Sequence, residues 1–228
     1  MLYPEQSSWM QEAKTMGVMS SSVMLMVTVA GSFISPTVTF ISPLLYQVII
    51  LLSGIGIWGD LYILRAMQKI AAAVNDEEIT HYVRAWFALR VLALLILVAV
   101  IYVYHPRFVV FLLLISSVFE TAGSIDLNNI SAYLLYHWCD VVVLVGISIA
   151  MIAAARFLRD SYELIATRTR MKMFKKVGHW YYLSMLLVNL VFIGFVIILI
   201  ALVLQLIAFS HLPKSIPSQT TVQQSSGA

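Results

Sequence analysis

Apolar runs alternate with short polar stretches along this chain, and their lengths decide the first question. Residues 15–35, 43–64, 86–104, 131–155 and 183–209 are each mostly apolar. Each reaches the roughly 17–25 residues a helix needs to cross a hydrocarbon layer. A sixth run, 108–119, has twelve apolar residues before Glu120. Runs of about 10–14 are more typical of re-entrant or interfacial segments. The helical period also outlasts two of the runs. Ile63, Met67, Ile70 and Val74 recur at spacings of three and four, and Phe157, Leu164, Ile165 and Met171 continue the next stripe. The pattern predicts an all-α, polytopic transmembrane bundle. Five spanning helices are expected, or six if 108–119 also crosses. Two helical hairpins extend past the lipid, with tips near 65–84 and 156–178.

Local signals place the boundaries. Residues 1–14 read as a short polar N-terminus and 15–212 as the helical domain. Asn75-Asp76-Glu77-Glu78 has the spacing of a capping box, with Asn75 as the N-cap of the third helix. His105-Pro106-Arg107 is expected to end that helix, since proline lacks the N–H a helix interior needs. Gly178 reads as the stop of a long helix. The aromatics at 180–182 read as an interfacial belt, and the Pro- and Ser-rich stretch 213–228 as a disordered tail. A weak internal repeat pairs Leu44-Leu45-Tyr46 with Leu134-Leu135-Tyr136, and His81-Tyr82 with His179-Trp180, at offsets of 90 to 98.

Charge sets the orientation. Only 11% of residues are charged and 61% are hydrophobic, against about 25% and 45–50% in soluble domains. Seven of the 14 basic residues fall within 156–176: Arg156, Arg159, Arg168, Arg170, Lys172, Lys175 and Lys176. Lys and Arg accumulate on the cytoplasmic side of membrane proteins, so this stretch is read as a cytoplasmic loop. If 108–119 does not cross, Lys14, Arg65, Lys69, Arg84 and Arg90 share that side, and only Arg107 and Lys214 oppose them. The N-terminus is then cytoplasmic and the C-terminus outside, in a membrane such as the bacterial inner membrane. The net charge of +3 fits anionic headgroups. No basic face with interleaved aromatics suggests nucleic acid.

Two places could carry chemistry. One is an outer-side set of His105, Glu120, Asp126, His137, Cys139 and Asp140, with His137 and Asp140 on one helix face. The other is Asp60, which follows Gly54, Gly56 and Gly59. Arg84 or Arg90 is its expected partner across the hairpin. Asp60, Glu120, Asp126, His137 and Asp140 together make the candidate ion or proton path. Gly54, Gly56, Gly59, Gly146, Ala150 and Ala154 make candidate helix-packing faces. Cys139 is the only cysteine, which excludes an internal disulfide. No nucleotide, zincin or nucleophile-elbow motif is present, and no cofactor is implied. The expected role is a non-enzymatic structural or assembly subunit, packed against other membrane proteins or further copies of itself. A small ion or solute transporter is the alternative.

Overall fold

The computed structural model describes residues 4–33, 43–120, 138–187 and 191–213. Every element among them is helical: α1 (Pro4–Phe33), α2 (Pro43–Val74), α3 (Glu77–Glu120), α4 (Trp138–Thr169), α5 (Lys172–Leu186) and α6 (Val191–Ser210). Each helix packs on its sequence neighbours, and α6 closes the ring on α1. Neighbours are antiparallel. Lys69 of α2 meets Glu12 of α1 at 2.8 Å, and Ser20 donates to the Gly59 carbonyl at 2.6 Å. The rings of Phe174 and Phe209 are 5.3 Å apart, so the end of α6 lies beside the start of α5. Phe209 also covers Gly17 of α1, where no side chain would fit.

Two turns form the tips of the ring. Asn75 is left-handed, with φ 54°. Its N–H donates to the Ala72 carbonyl and that of Asp76 to the Ala71 carbonyl, which together make a Schellman ending for α2. The Asp76 carboxylate then accepts from the Glu78 N–H at 3.1 Å and caps α3. So Asn75 closes one helix and Asp76 opens the next, a shift of one residue from the expected capping box. The second tip shares the left-handed residue but not the side-chain cap, since Met171 makes none. Arg170 has φ 58°, and α5 begins two residues later. Asn75 and Arg170 are 95 residues apart.

Burial repeats with the same step. Gly59, Asp60, Ile63, Ala66, Met67 and Ile70 are buried in α2, as are Ala154, Ala155, Leu158, Ser161, Tyr162 and Ile165 in α4, 95 residues on. A further match lies in α6 at Ala201, Leu202, Gln205, Ala208 and Phe209, and just past its end at Leu212. Among the helices running the other way, Met10 and Gly17, Ile79 and Trp86, and Phe174 and Tyr181 are equivalent buried pairs. The ring is thus three similar up-and-down pairs: α2–α3, α4–α5 and α6–α1. The first two are joined at the tips, and among the described residues no turn joins α6 to α1.

The two ends of the ring differ in chemistry. Every charged side chain described lies at the level of Asp60 and Arg90 or between that level and the tips. Of the exposed large apolar side chains, all but Met19 and Val203 lie on the other side of it, Leu51, Leu95, Val145 and Ile200 among them. Two described helical stretches, Gln6–Ala30 and Glu77–Ala99, are long and apolar enough to cross a membrane.

Several sequence expectations need correction. Helix α1 begins at Pro4, so residues 4–14 are part of the bundle rather than a separate polar tail. A proline in the first helical position costs nothing, because that N–H has no partner in any helix. Helix α3 continues through His105-Pro106-Arg107 to Glu120. A single proline forfeits one backbone bond, and the apolar runs on both sides favour one helix. Residues 156–176 are not a loop but the end of α4, the tip and the start of α5. Gly178 is inside α5, not at its stop. A Cβ there would sit 3.0 Å from the Arg159 Cα and 3.1 Å from the Tyr162 Cβ, so the glycine lets α5 press against α4. The run 183–209 is not one helix, and α6 returns towards the tips, which puts its end beside α5 rather than opposite it. Uniform apolarity carries no mark of where a chain turns back.

Candidate functional site

The level of Asp60 is where the six helices bring polar groups inward. Asp60 sits one turn below Ile63 on the buried face of α2, and Arg90 comes from the descending α3. Arg90 Nε lies 2.6 Å from Asp60 Oδ2, with side chains only 13% and 4% exposed. The contact is off the line of the N–H, so it is an ion pair rather than a directed hydrogen bond. The Arg90 guanidinium also lies 6.0 Å from the Trp86 ring. Of the two partners open to Asp60, the structure selects Arg90.

Around this pair stand Ser20 and Ser21 from α1, Tyr162 from α4, Tyr181 from α5 and Gln205 from α6, all buried. Both serines are satisfied by carbonyls, of Gly59 and Gly17. The Tyr162 hydroxyl and the Gln205 Nε2 have no hydrogen-bond partner among the described residues. Both side chains are fully buried. A cavity of about 10 Å³ opens beside Arg90 and Tyr181, close to the smallest space that holds one water. Such a layer can fix helix register, and a protonatable carboxyl within it can also serve an ion.

At the tips, ion pairs tie the sectors together. Asp76 Oδ2 accepts from Arg168 Nε at 2.7 Å, so one carboxylate caps α3 and holds the end of α4. Lys175 donates to Glu163 at 2.6 Å. That bond, with the lysine charge, holds Glu163 below its ordinary carboxylate range. Arg159 bonds Asp160 at 2.9 Å and lies 4.9 Å from the Tyr182 ring. Arg156, Arg170, Lys172 and Lys176 are exposed. Beside the first tip, an open cleft of about 930 Å³ is walled by α1, α2 and α3. It is lined by Gln6, Trp9, Gln68, Asn75, His81 and Arg84, among others.

Two other sequence candidates lie on described helices away from this layer. Glu120 closes α3 and Asp140 sits in the first turn of α4. Asp126 and His137 lie outside the described residues. Of the small-residue faces, Gly59 and Ala154 are used inside the ring: Gly59 meets Met24, and Ala154 is buried. Ala150 is half-buried. At Gly54, Gly56 and Gly146 an added Cβ would meet nothing within 4 Å, so these faces look outward. Sequence reasoning passed over Tyr162 and the Asp76–Arg168 bond, and it read Tyr181 only as part of an interfacial belt. The bond spans 92 positions.

Comparison with known proteins covers the same region. The chain is similar to the uncharacterized protein MJ1644 of Methanocaldococcus jannaschii, 26% identical over 167 residues, which is 72% of this chain and 83% of that relative. No solved structure matches it. A family model described as a protein of unknown function, DUF996, matches residues 55–203, a stretch that holds Asp60, Arg90, both tips and most of α6. On that match the chain belongs to the DUF996 family.

Proposed function

We propose that this is a multi-pass integral membrane protein that works without catalysis, as a structural or assembly subunit for other membrane proteins. The carrying observation is the division of the ring at Asp60–Arg90. Charged side chains lie on the tip side, and exposed apolar ones, with the outward Gly54, Gly56 and Gly146, lie on the other. An apolar surface of this kind is stable in lipid, and small residues on it let another helix approach closely. The tips face the cytoplasm, where basic residues collect. Helices α1 to α4 cross the bilayer. The shorter α5 and α6 enter from the cytoplasmic side and return, in place of a fifth crossing, with the end of α6 on the tip side. The partners are other membrane proteins or a second copy of this chain.

The test is the composition of the protein extracted in mild detergent through a terminal tag. Other membrane proteins should arrive in fixed amounts, and Gly54→Leu with Gly146→Leu should lose them while the helical signal is unchanged. Arrival alone, with an unaltered profile in the double variant, would overturn the reading.

A second reading is an ion path through the polar layer, favoured by the unpartnered Tyr162 hydroxyl and Gln205 amide. Replacing the pair together, Asp60→Leu with Arg90→Met, separates the two. A subunit keeps its partners, whereas a conductor loses its flux in proteoliposomes.

A further inference from the structure

The open cleft at the first tip has a wall of polar groups that the fold leaves unused. Arg84 makes no ion pair or hydrogen bond among the described residues, and neither do the side chains of Gln6, Gln68, Asn75 and Thr80. The His81 ring lies edge-on to the Tyr82 ring, 6.1 Å between centroids. The two acids of the cleft are not equivalent. Asp76 is neutralised by Arg168 and occupied as a helix cap. Glu77 is exposed in the first turn of α3.

We propose that this cleft seats the headgroup of a membrane lipid carrying both a phosphate and an ammonium. The proposal rests on the membrane reading above. Its first support is height. The apolar part of α3 begins at Trp86, so Arg84 and His81 lie about 3 and 7 Å nearer the tip along the helix. The headgroup layer adds roughly 5–7 Å to each side of the hydrocarbon core, which is where these two side chains stand. Trp9 lines the cleft from α1, nearer the tip. One sector round the ring, the positions equivalent to His81 and Arg84 are Lys176 and His179, so basic groups recur at the same height.

The second support is chemistry. A free guanidinium offers paired N–H donors to phosphate oxygens, and His81, one turn away, adds a third nitrogen. Glu77, two turns from Arg84 on the same helix, is placed for the ammonium. Gln6 and Gln68 supply amides for the ester oxygens. The cleft volume, about 930 Å³, is within the range of small-ligand sites.

The experiment is native mass spectrometry of the full chain, released from detergent after incubation with phosphatidylethanolamine. The wild type should retain one lipid, in the presence or absence of excess inorganic phosphate. Arg84→Gln should weaken retention at least tenfold, the loss expected for one charge-assisted bond. Gln68→Trp, which fills the cleft and leaves its charges, should do the same. Lys172→Gln, on the other tip, should have no effect. Equal retention by the wild type and both cleft variants would overturn the proposal. So would displacement of the lipid by inorganic phosphate, which would make the site one for a free anion. Extraction of the membrane fraction with alkaline carbonate tells the two failures apart. Release of the protein into the wash defeats the membrane reading itself, and retention without bound lipid defeats only the cleft.

Discussion

Asp60 and Arg90 carry the largest single consequence at the scale of one residue. Both have left water, and each compensates the other at 2.6 Å. Removing one partner leaves a buried charge, at a cost of about 3–5 kcal/mol, while replacing both with apolar residues of similar size is often neutral or stabilising. Arg90→Met alone should therefore lower the melting temperature in detergent sharply, and the added Asp60→Leu should restore most of it. If the double variant melts as low as the single, the pair does more than neutralise itself. The sequence narrowed the partner of Asp60 to two arginines but could not choose. The choice follows from the tip: 60 and 90 are each fifteen positions from Asn75, and a partner at 84 would need a turn three residues earlier. Gln205 stood out in sequence as a polar group in need of a neighbour, but its isolation and that of Tyr162 were not legible, because a polar atom within an apolar stripe shows it only when the neighbours are placed.

At the scale of the element, the tips decide the packing. Each turns on one left-handed residue, and at the first tip Asp76 serves two helices at once. Asn75→Gly should leave stability almost unchanged. Asn75→Val should cost about 1–2 kcal/mol, since a branched side chain meets the backbone in that conformation. Asp76→Ala should cost at least as much, because a cap alone contributes about 1 kcal/mol and the Arg168 bond is lost with it. Thermal unfolding of the three variants checks the order, and a harmless Asp76→Ala would mean that the tips are not coupled. Helices α2 and α4 were legible from their stripes at three and four. The passage of α3 through Pro106 was not, because a proline signal is local and the apolar runs on both sides outweigh it. The return of α6 was hidden for a related reason: its apolar face and its lipid-like face have the same composition.

For the whole molecule, the sequence told the class and the partition of charge, since both follow from composition and spacing alone. It did not tell that the helices close into a ring. Closure depends on contacts such as Phe209 over Gly17, between opposite ends of the chain, and neither residue is distinctive in sequence. The internal repeat was faint in residue identity, with drifting offsets. It became regular as burial, because packing conserves the side of a helix and not its letters. That regularity has a topological consequence. The described ends of α1 and α6 meet where a third tip would stand, with Met10 and Phe209 both in the same core. A short linker from 213 to 4 would supply that tip, and the ring could then be opened elsewhere, at Arg170-Met171, with no helix interrupted. Such a circular permutant should insert, fold and melt within a few degrees of the parent, as measured by its unfolding in detergent. The order in which the chain visits the three pairs would then be a matter of where synthesis starts, and the ring itself would have no first helix.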